Sequence, residues 1–441
     1  MSEHEYTWRP LLTGPAAERA RDVVLSIGND IREMDRATAV ESDTDDPFIA
    51  LLFAYLGKAM SDARSSEFAE NIFDAACEHL RGMGQRPALY GGAAGIVWLD
   101  AHLNRWFRKA DEGEPGADGS AHADEDRYGE VDEVLTRVLA APPGAYPYEL
   151  ISGFAGFGMA WLERLPEAIA AQHLERIVDS VDASAVTRAD WLLWRTPPHW
   201  MVGWRRAIAP NGYFNLGVSH GMPGLLVVLA RIAHAGIATE KARRLVDGGV
   251  EWLLKQRRND TPAHWFPSWI TDDAIPDQAS GLRWCYGGLG IGAALATIAQ
   301  LLQNSRWTKA ALEILRSAAS VRTMEEAGLV DAGLCHGASG CAHLFNRSFQ
   351  TTGDPALAEA ARHWFDVVLD LRKPGCGLGG YEVWSIPRGT KFDPFSPEKI
   401  ALNEWVTEAR WLTGASGIGL ALLAAFSPLE PHWDRLLAIS T

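Results

Sequence analysis

Six short Gly-x-x-Gly elements, each opening an apolar run, constrain the fold of this chain more than any other feature. In order they are GAAG at Gly92 to Gly95 before IVWL, GFAG at Gly153 to Gly156 before FGMAWL, and GMPG at Gly221 to Gly224 before LLVVLA. GGLG at Gly287 to Gly290 then precedes IGAALA, GASG at Gly337 to Gly340 precedes CAHLF, and GASG at Gly414 to Gly417 precedes IGLALLAA. Their spacing is loose, so insertions are expected between repeats. Each run is apolar nearly all round, the pattern of a helix buried on every side. Between them lie amphipathic segments with charged faces, Ala242 to Gln256, Lys309 to Ala319 and Pro355 to Leu371 among them, which suit an outer layer. Pro15 to Ile27 with Pro47 to Leu56, and Arg64 to Arg81 leading to the first glycine element, extend the series to seven inner and seven outer helices. With 441 residues the chain exceeds what one ordinary core supports, and a closed ring of repeats answers that without splitting into domains. Residues 1–441 are therefore read as one all-α ring domain.

Two segments break the pattern. Residues 111–130 (DEGEPGADGSAHADEDRYGE) are acidic and glycine-rich, as in a flexible surface loop. Residues 183–214 hold Trp191, Trp194, Trp200 and Trp204 with Pro197, Pro198 and Pro210, which suits a small irregular or β-containing insertion. Such an insertion is placed to overhang the mouth of the ring.

Composition narrows the function. A formal net charge of -15 opposes attraction to nucleic-acid phosphates or anionic lipid. Five cysteines scattered along the chain do not form a disulfide framework, nothing resembles a secretory signal, and no stretch is apolar enough for a membrane span. A cytoplasmic location is expected, with peripheral docking on a membrane-associated complex left open.

Glycine at a helix start allows a sharp turn and close packing, so the glycine elements are expected to crowd one rim and to gather the preceding loops there. Three of those loops carry metal-suited residues: SHGMPG at Ser219 to Gly224, WCYGGLG at Trp284 to Gly290, and LCHGASG at Leu334 to Gly340. Cys285 and Cys335 stand two residues before their glycines, and His336 and His220 stand one before theirs. Equivalent registers in a closed ring aim these side chains at one spot. Two thiolates and one imidazole make a three-ligand zinc site with the fourth position open, as catalytic zinc requires. Soft thiolate ligands make zinc a weaker Lewis acid, better suited to holding a substrate thiolate than to generating hydroxide. The expected nucleophile is a substrate cysteine. Cys77, Cys341 and Cys376 lack the register and are read as structural, and His343 as core or supporting.

NLGVSHGMPG, WCYGGLG, LCHGASGCAHLFNR and the closing WLTGASGIGLALLAA with PHWDRLL resemble the signature loops of the lanthionine synthetase C-like family, and within it the stand-alone lanthipeptide cyclases. The resemblance runs from the first outer helix onward. It implies an α/α toroid with Zn2+ on Cys285, Cys335 and His336. It also implies addition of precursor-peptide cysteine thiols to dehydroalanine or dehydrobutyrine, giving lanthionine or methyllanthionine rings. The implied partners are a dehydrated precursor peptide, a separate dehydratase and an export transporter. His220 carries over as the acid or base. The family's Asp before the second-repeat glycine is Glu149 here, a carboxylate able to orient His220. Tyr286 matches the family's Tyr after the first cysteine. The family's Arg four residues before that cysteine is replaced by Gly281, leaving Arg283 as the candidate for its task. A related reading is a glutathione-binding or glutathione-adding LanC-like protein. A protein prenyltransferase β-type subunit and a scaffold with structural zinc fit the ligand pattern less well.

Overall fold

The computed structural model describes residues 8–37, 46–82, 86–108, 129–142, 144–201, 203–258, 262–272, 280–387, 390 and 402–441. Most of the acidic segment 111–130 lies outside the described residues; its last two, Gly129 and Glu130, open a helix. Seven inner helices form a ring: α2 (Ile49–Met60), α4 (Ala93–Leu103), α6 (Phe154–Glu163), α9 (Met222–His234), α11 (Gly288–Leu302), α14 (Ala338–Thr352) and α16 (Ala415–Phe426). Around them lie α1 (Gly14–Ala37), α3 (Ala63–Gly82), α5 (Gly129–Leu139), α7 (Ala168–Ala183), α10 (Thr239–Lys255), α12 (Ser305–Ala318) and α15 (Pro355–Asp370). Two short helices, α8 (Gly203–Ile208) and α13 (Met324–Ala327), sit in connections. None of the described helices is long and apolar enough to cross a membrane.

The inner helices are buried along their whole length, α9 from Met222 to Ala233 for example. Outer helices bury one stripe: Trp307, Ala311, Ile314, Leu315 and Ala318 of α12 recur at helical spacing toward the core. Each layer starts its helices differently. On α12 and α15 the side chains of Asn304 and Asp354 accept from Trp307 N–H and Ala356 N–H, ordinary N-caps. Six of the seven inner helices begin at glycine with no side-chain cap, and on α4, α6, α14 and α16 a backbone carbonyl six residues before the glycine takes the role. The Ala338 N–H donates to Asp331 O, and that of Ala415 to Glu408 O, each at 2.8 to 2.9 Å. The second glycine of the element is forced by close approach. A Cβ on Gly340 would lie 1.8 Å from Leu334 O, and one on Gly417 1.8 Å from Trp411 O.

The pairing of the first helices departs from chain order. α1 packs on α16 and α15, while α2 packs on α3 and α16, so the first outer helix covers the last inner one and closes the ring. α1 also runs ten residues beyond Ile27, through Gly28. There the missing side chain lets α1 pack against Phe53 and Leu56 of α2.

Residues 186–215 carry the β-structure foreseen for the insertion. β1 (Val186–Arg188) pairs antiparallel with β2 (Trp191–Leu193). β3 (Arg195–Thr196), β4 (Tyr213–Asn215) and β5 (Trp269–Ile270) form a three-stranded sheet in that order. β4 runs directly into the loop that carries His220. A hairpin of β6 (Val383–Ser385) and β7 (Glu404–Val406) lies beside the loop before α14, where Trp384 N–H donates to Asp331 Oδ2 at 3.0 Å.

A turn after α16 packs against several of the inner helices. Residues His432–Leu437 form a 3-10 turn with Trp433, Asp434, Leu436 and Leu437 buried, and its partners come from several sides. Asp434 Oδ2 accepts from Arg347 at 2.7 Å and pairs with His343 at 3.0 Å, both on α14. Arg435 faces Glu163 of α6 at 3.4 Å. Trp433 N–H donates to Tyr55 Oη of α2, which is 3.1 Å from His102 Nε2 on α4. His102 Nδ1 lies 3.1 Å from Glu163, so the imidazole donates to Glu163 through Nδ1 and accepts from Tyr55 through Nε2.

Burial keeps His102, His173 and His343 below the ordinary histidine range, and burial together with Arg435 takes His432 down to about 3. A histidine that resists protonation in the fold loses its stabilising contribution as pH falls through its unfolded pKa of about 6.5. Asp46, pushed up to about 6 by burial, and His336, raised by its neighbours, act in the opposite direction. The strongly depressed His432, with three further histidines acting in the same direction, sets the sign. The urea midpoint is expected to fall between pH 7 and pH 5.5, whereas a flat or rising midpoint contradicts this balance.

Candidate metal centre at the ring mouth

One repeated contact explains why equivalent registers meet. The carbonyl of the residue two before the glycine accepts a hydrogen bond from the neighbouring loop. Tyr90 N–H donates to Ile151 O (3.1 Å), Leu150 N–H to Ser219 O (3.2 Å), Cys285 N–H to Cys335 O (3.4 Å) and Cys335 N–H to Leu412 O (2.7 Å). Between the loops of His220 and Cys285 the contact is through Gly217, where any Cβ would strike Cys285 O and the Tyr286 ring. The loop before α2 lacks glycines, and there Asp46 Oδ2 accepts from Trp411 N–H at 3.1 Å. Phe48, just before α2, meets the Tyr90 ring edge-on at 5.8 Å, and the ring of loops is closed.

Within that ring the ligand atoms of Cys285, Cys335 and His336 all lie within 4.8 Å of one another. Zinc bonds of about 2.3 Å to sulfur would set tetrahedral sulfurs about 3.8 Å apart, so the three need only a small inward adjustment. Both cysteines are half-buried and free. The Cys335 thiol donates toward Cys285 and, helped by His336 and Arg283, holds the Cys285 thiol well below its ordinary pKa. Facing that thiolate, and buried, Cys335 is pushed well up. Burial works against the charged imidazole of His336, but the Cys285 thiolate and Asp331 raise its pKa above the usual value. A cluster that holds one thiol well below its ordinary pKa, with a second soft donor and an imidazole beside it, fits a zinc ion and could bind one as a three-ligand site.

The proton-handling candidates stand on the loops next to it. His220 Nδ1 lies 2.6 Å from Glu149 Oε2. Glu149 is nearly buried while the His220 side chain is 52% exposed, so the free Nε2 is open to the mouth. Burial would raise the Glu149 carboxyl; His220 and the Ser152 N–H and O–H donors outweigh it and hold the carboxyl below its usual range. Ser152 N–H donates at 2.7 Å and Ser152 O–H at 2.8 Å to Oε1, and Ile151 N–H at 3.1 Å to Oε2. Glutamate thus reaches His220 from a turn that its own carboxylate holds together.

Tyr286 accepts from Asn215 Nδ2 at 3.1 Å, leaving its own proton to donate, and burial pushes the phenol up so that it stays protonated. Arg283 is engaged by the backbone of the neighbouring turn: Nε and Nη2 both donate to Gly328 O, at 3.1 and 2.5 Å. Its charge still favours the ionised form of both cysteines. Gly281, at φ +68°, permits the approach of Ala327 O, 2.5 Å from where a Cβ would be. That contact belongs to the backbone of this turn and leaves no room for a side chain there.

His343 belongs to the buried network around Asp434 and not to the mouth. Two residues escaped the sequence reading. Asp331, buried beneath His336, accepts from Gly333 and Trp384 N–H groups. Tyr90 shares the register of Cys285 and Cys335, two before its glycine, a signal that could have singled it out.

The family model described as lanthionine synthetase C-like protein matches residues 47–386, and the chain belongs to that family. Among solved structures it is similar to nisin cyclase, with a TM-score of 0.68 and 17% identity over 94% of this chain and 96% of that one. The shared fold is the α/α toroid.

Proposed function

We propose that the protein is a zinc-dependent lanthipeptide cyclase that adds cysteine thiols of a dehydrated precursor peptide to dehydroalanine or dehydrobutyrine. The observation that carries this reading is the juxtaposition, on neighbouring loops, of the Cys285, Cys335 and His336 cluster with a His220 held by Glu149. Those three residues would hold Zn2+, which when bound lowers the pKa of a substrate thiol and supplies it as the nucleophile.

The rest falls to the chain's own side chains. His220, its Nδ1–H fixed on the ionised Glu149, presents Nε2 as a proton acceptor and then as a donor. In the addition the S–H bond is broken and a C–S bond forms at the alkene β-carbon. The alkene electron pair moves toward the neighbouring carbonyl, and a proton is delivered to the α-carbon. No atom is lost or gained. Tyr286, with its O–H free to donate, steadies the enolate oxygen. Arg283 contributes through its field at the cysteines and by fixing the turn to Gly328. A dehydratase must prepare the peptide, and an exporter would take the product.

Cyclisation of a dehydrated precursor peptide is expected to stop when the protein is dialysed against a chelator and to return with one equivalent of Zn2+ per chain. Undiminished cyclisation by metal-free protein would overturn the reading.

A further inference from the structure

The chain's last residues do more than fill space, because they touch the metal loop itself. Trp284 is fully buried next to Cys285, and its indole N–H donates to Leu437 O at 2.7 Å. On the Tyr90 side of the ring, the Tyr90 hydroxyl donates to Leu436 O at 2.8 Å. Two successive carbonyls of the C-terminal turn are thus claimed by two separate mouth loops. The turn is itself clamped from below: Asp434 to His343 and Arg347, Arg435 to Glu163, and His432 stacked on Trp106 at 3.7 Å. Ala438 and Ile439 are buried as well.

We propose that the segment His432–Ile439 is the floor of the mouth, and that Trp284 is a positioning residue through which this floor sets the place of the Cys285 ligand. The inference rests on the zinc reading of the cluster. A ligand turn held only by its own backbone would drift by fractions of an ångström, enough to weaken a metal site. Here the residue next to the ligand is pinned to an element that is braced against α2, α6 and α14. Asp434 and its partners His343 and Arg347 are buried, so the floor is costly to displace. No role in contacting the peptide is assigned to the floor.

The test compares Trp284→Phe, which keeps the ring and deletes the N–H, with Trp307→Phe. Trp307 is equally buried and donates to Glu251 at 3.0 Å in the outer layer, so it controls for the general loss of an indole hydrogen bond. Zinc affinity by chelator competition is expected to fall at least tenfold in Trp284→Phe and to stay at the wild-type value in Trp307→Phe. The ligand-field spectrum of the Co2+-substituted protein should shift only in the former. A truncation removing residues 438–441 should weaken zinc in the same direction; if it fails to fold, Trp284→Phe still decides. Wild-type zinc affinity and an unshifted spectrum in Trp284→Phe overturn the inference. Absence of zinc binding by the wild type would instead overturn the metal reading on which it depends.

Discussion

Replacement of His220 by alanine is expected to leave zinc stoichiometry and thermal stability unchanged and to slow cyclisation by about 10²- to 10⁴-fold, the usual contribution of a positioned acid or base. The side chain is half exposed, and its partner Glu149 keeps the donors of Ile151 and Ser152 without it, so little stability depends on it. Removing it deprives the mouth of an imidazole outside the Cys285, Cys335 and His336 cluster. Glu149→Gln should reproduce part of the loss. An amide can still accept one hydrogen bond from His220, but it no longer supplies the charge that fixes the Nδ1–H tautomer. Its backbone bonds to Ile151 and Ser152 would also be strained, so a drop in melting temperature accompanies the drop in rate. Wild-type rates in His220→Ala would remove this residue from the mechanism.

Cys335→Ala is the second large effect. Bound zinc should fall from one per chain to under about a tenth, with cyclisation reduced by about 10³-fold or more, because a two-ligand remnant cannot hold the ion against solvent. Helical content should stay intact. The inner and outer helices are packed by apolar residues along their length, and the backbone bonds of Cys335 to the neighbouring loops do not involve its sulfur. Circular dichroism and metal analysis on the same sample separate the two outcomes. A Cys335→Ala protein that loses its helices would show the cluster to be a structural site.

Much of this was legible in the sequence because the fold repeats a backbone device. Six loops share the same close approach at the second glycine, and four of them the same carbonyl cap, so residues at one register in different repeats share one place. That is why the registers bring Cys285, Cys335 and His336 to one spot, with His220 on the next loop of the ring. Glu149 and Tyr286 were indicated by the family resemblance and not by the registers.

Other features had no such signal. The C-terminal turn follows no repeat, and its meaning lies in partners scattered along the chain: Tyr55, His102, Glu163, His343 and Arg347. Polar residues inside otherwise apolar inner helices were the visible trace, but a buried histidine alone does not say which element it answers. The closure of α1 onto α16 is likewise a property of the ring, set by its two ends meeting. Arg283 stands near the register of a family arginine, yet its reach is decided by the Gly328 carbonyl across the turn, which sequence spacing does not encode.

The central claim is that this mouth joins a peptide's own thiol to its own dehydroamino acid. It is tested most directly by incubating the zinc-loaded protein with a dehydrated precursor peptide in the presence of glutathione, then measuring free thiols and mass together. The expected result is loss of peptide thiols with no change in peptide mass. A peptide that keeps its thiols, or gains the mass of glutathione, would contradict the claim and assign the mouth to an external thiol.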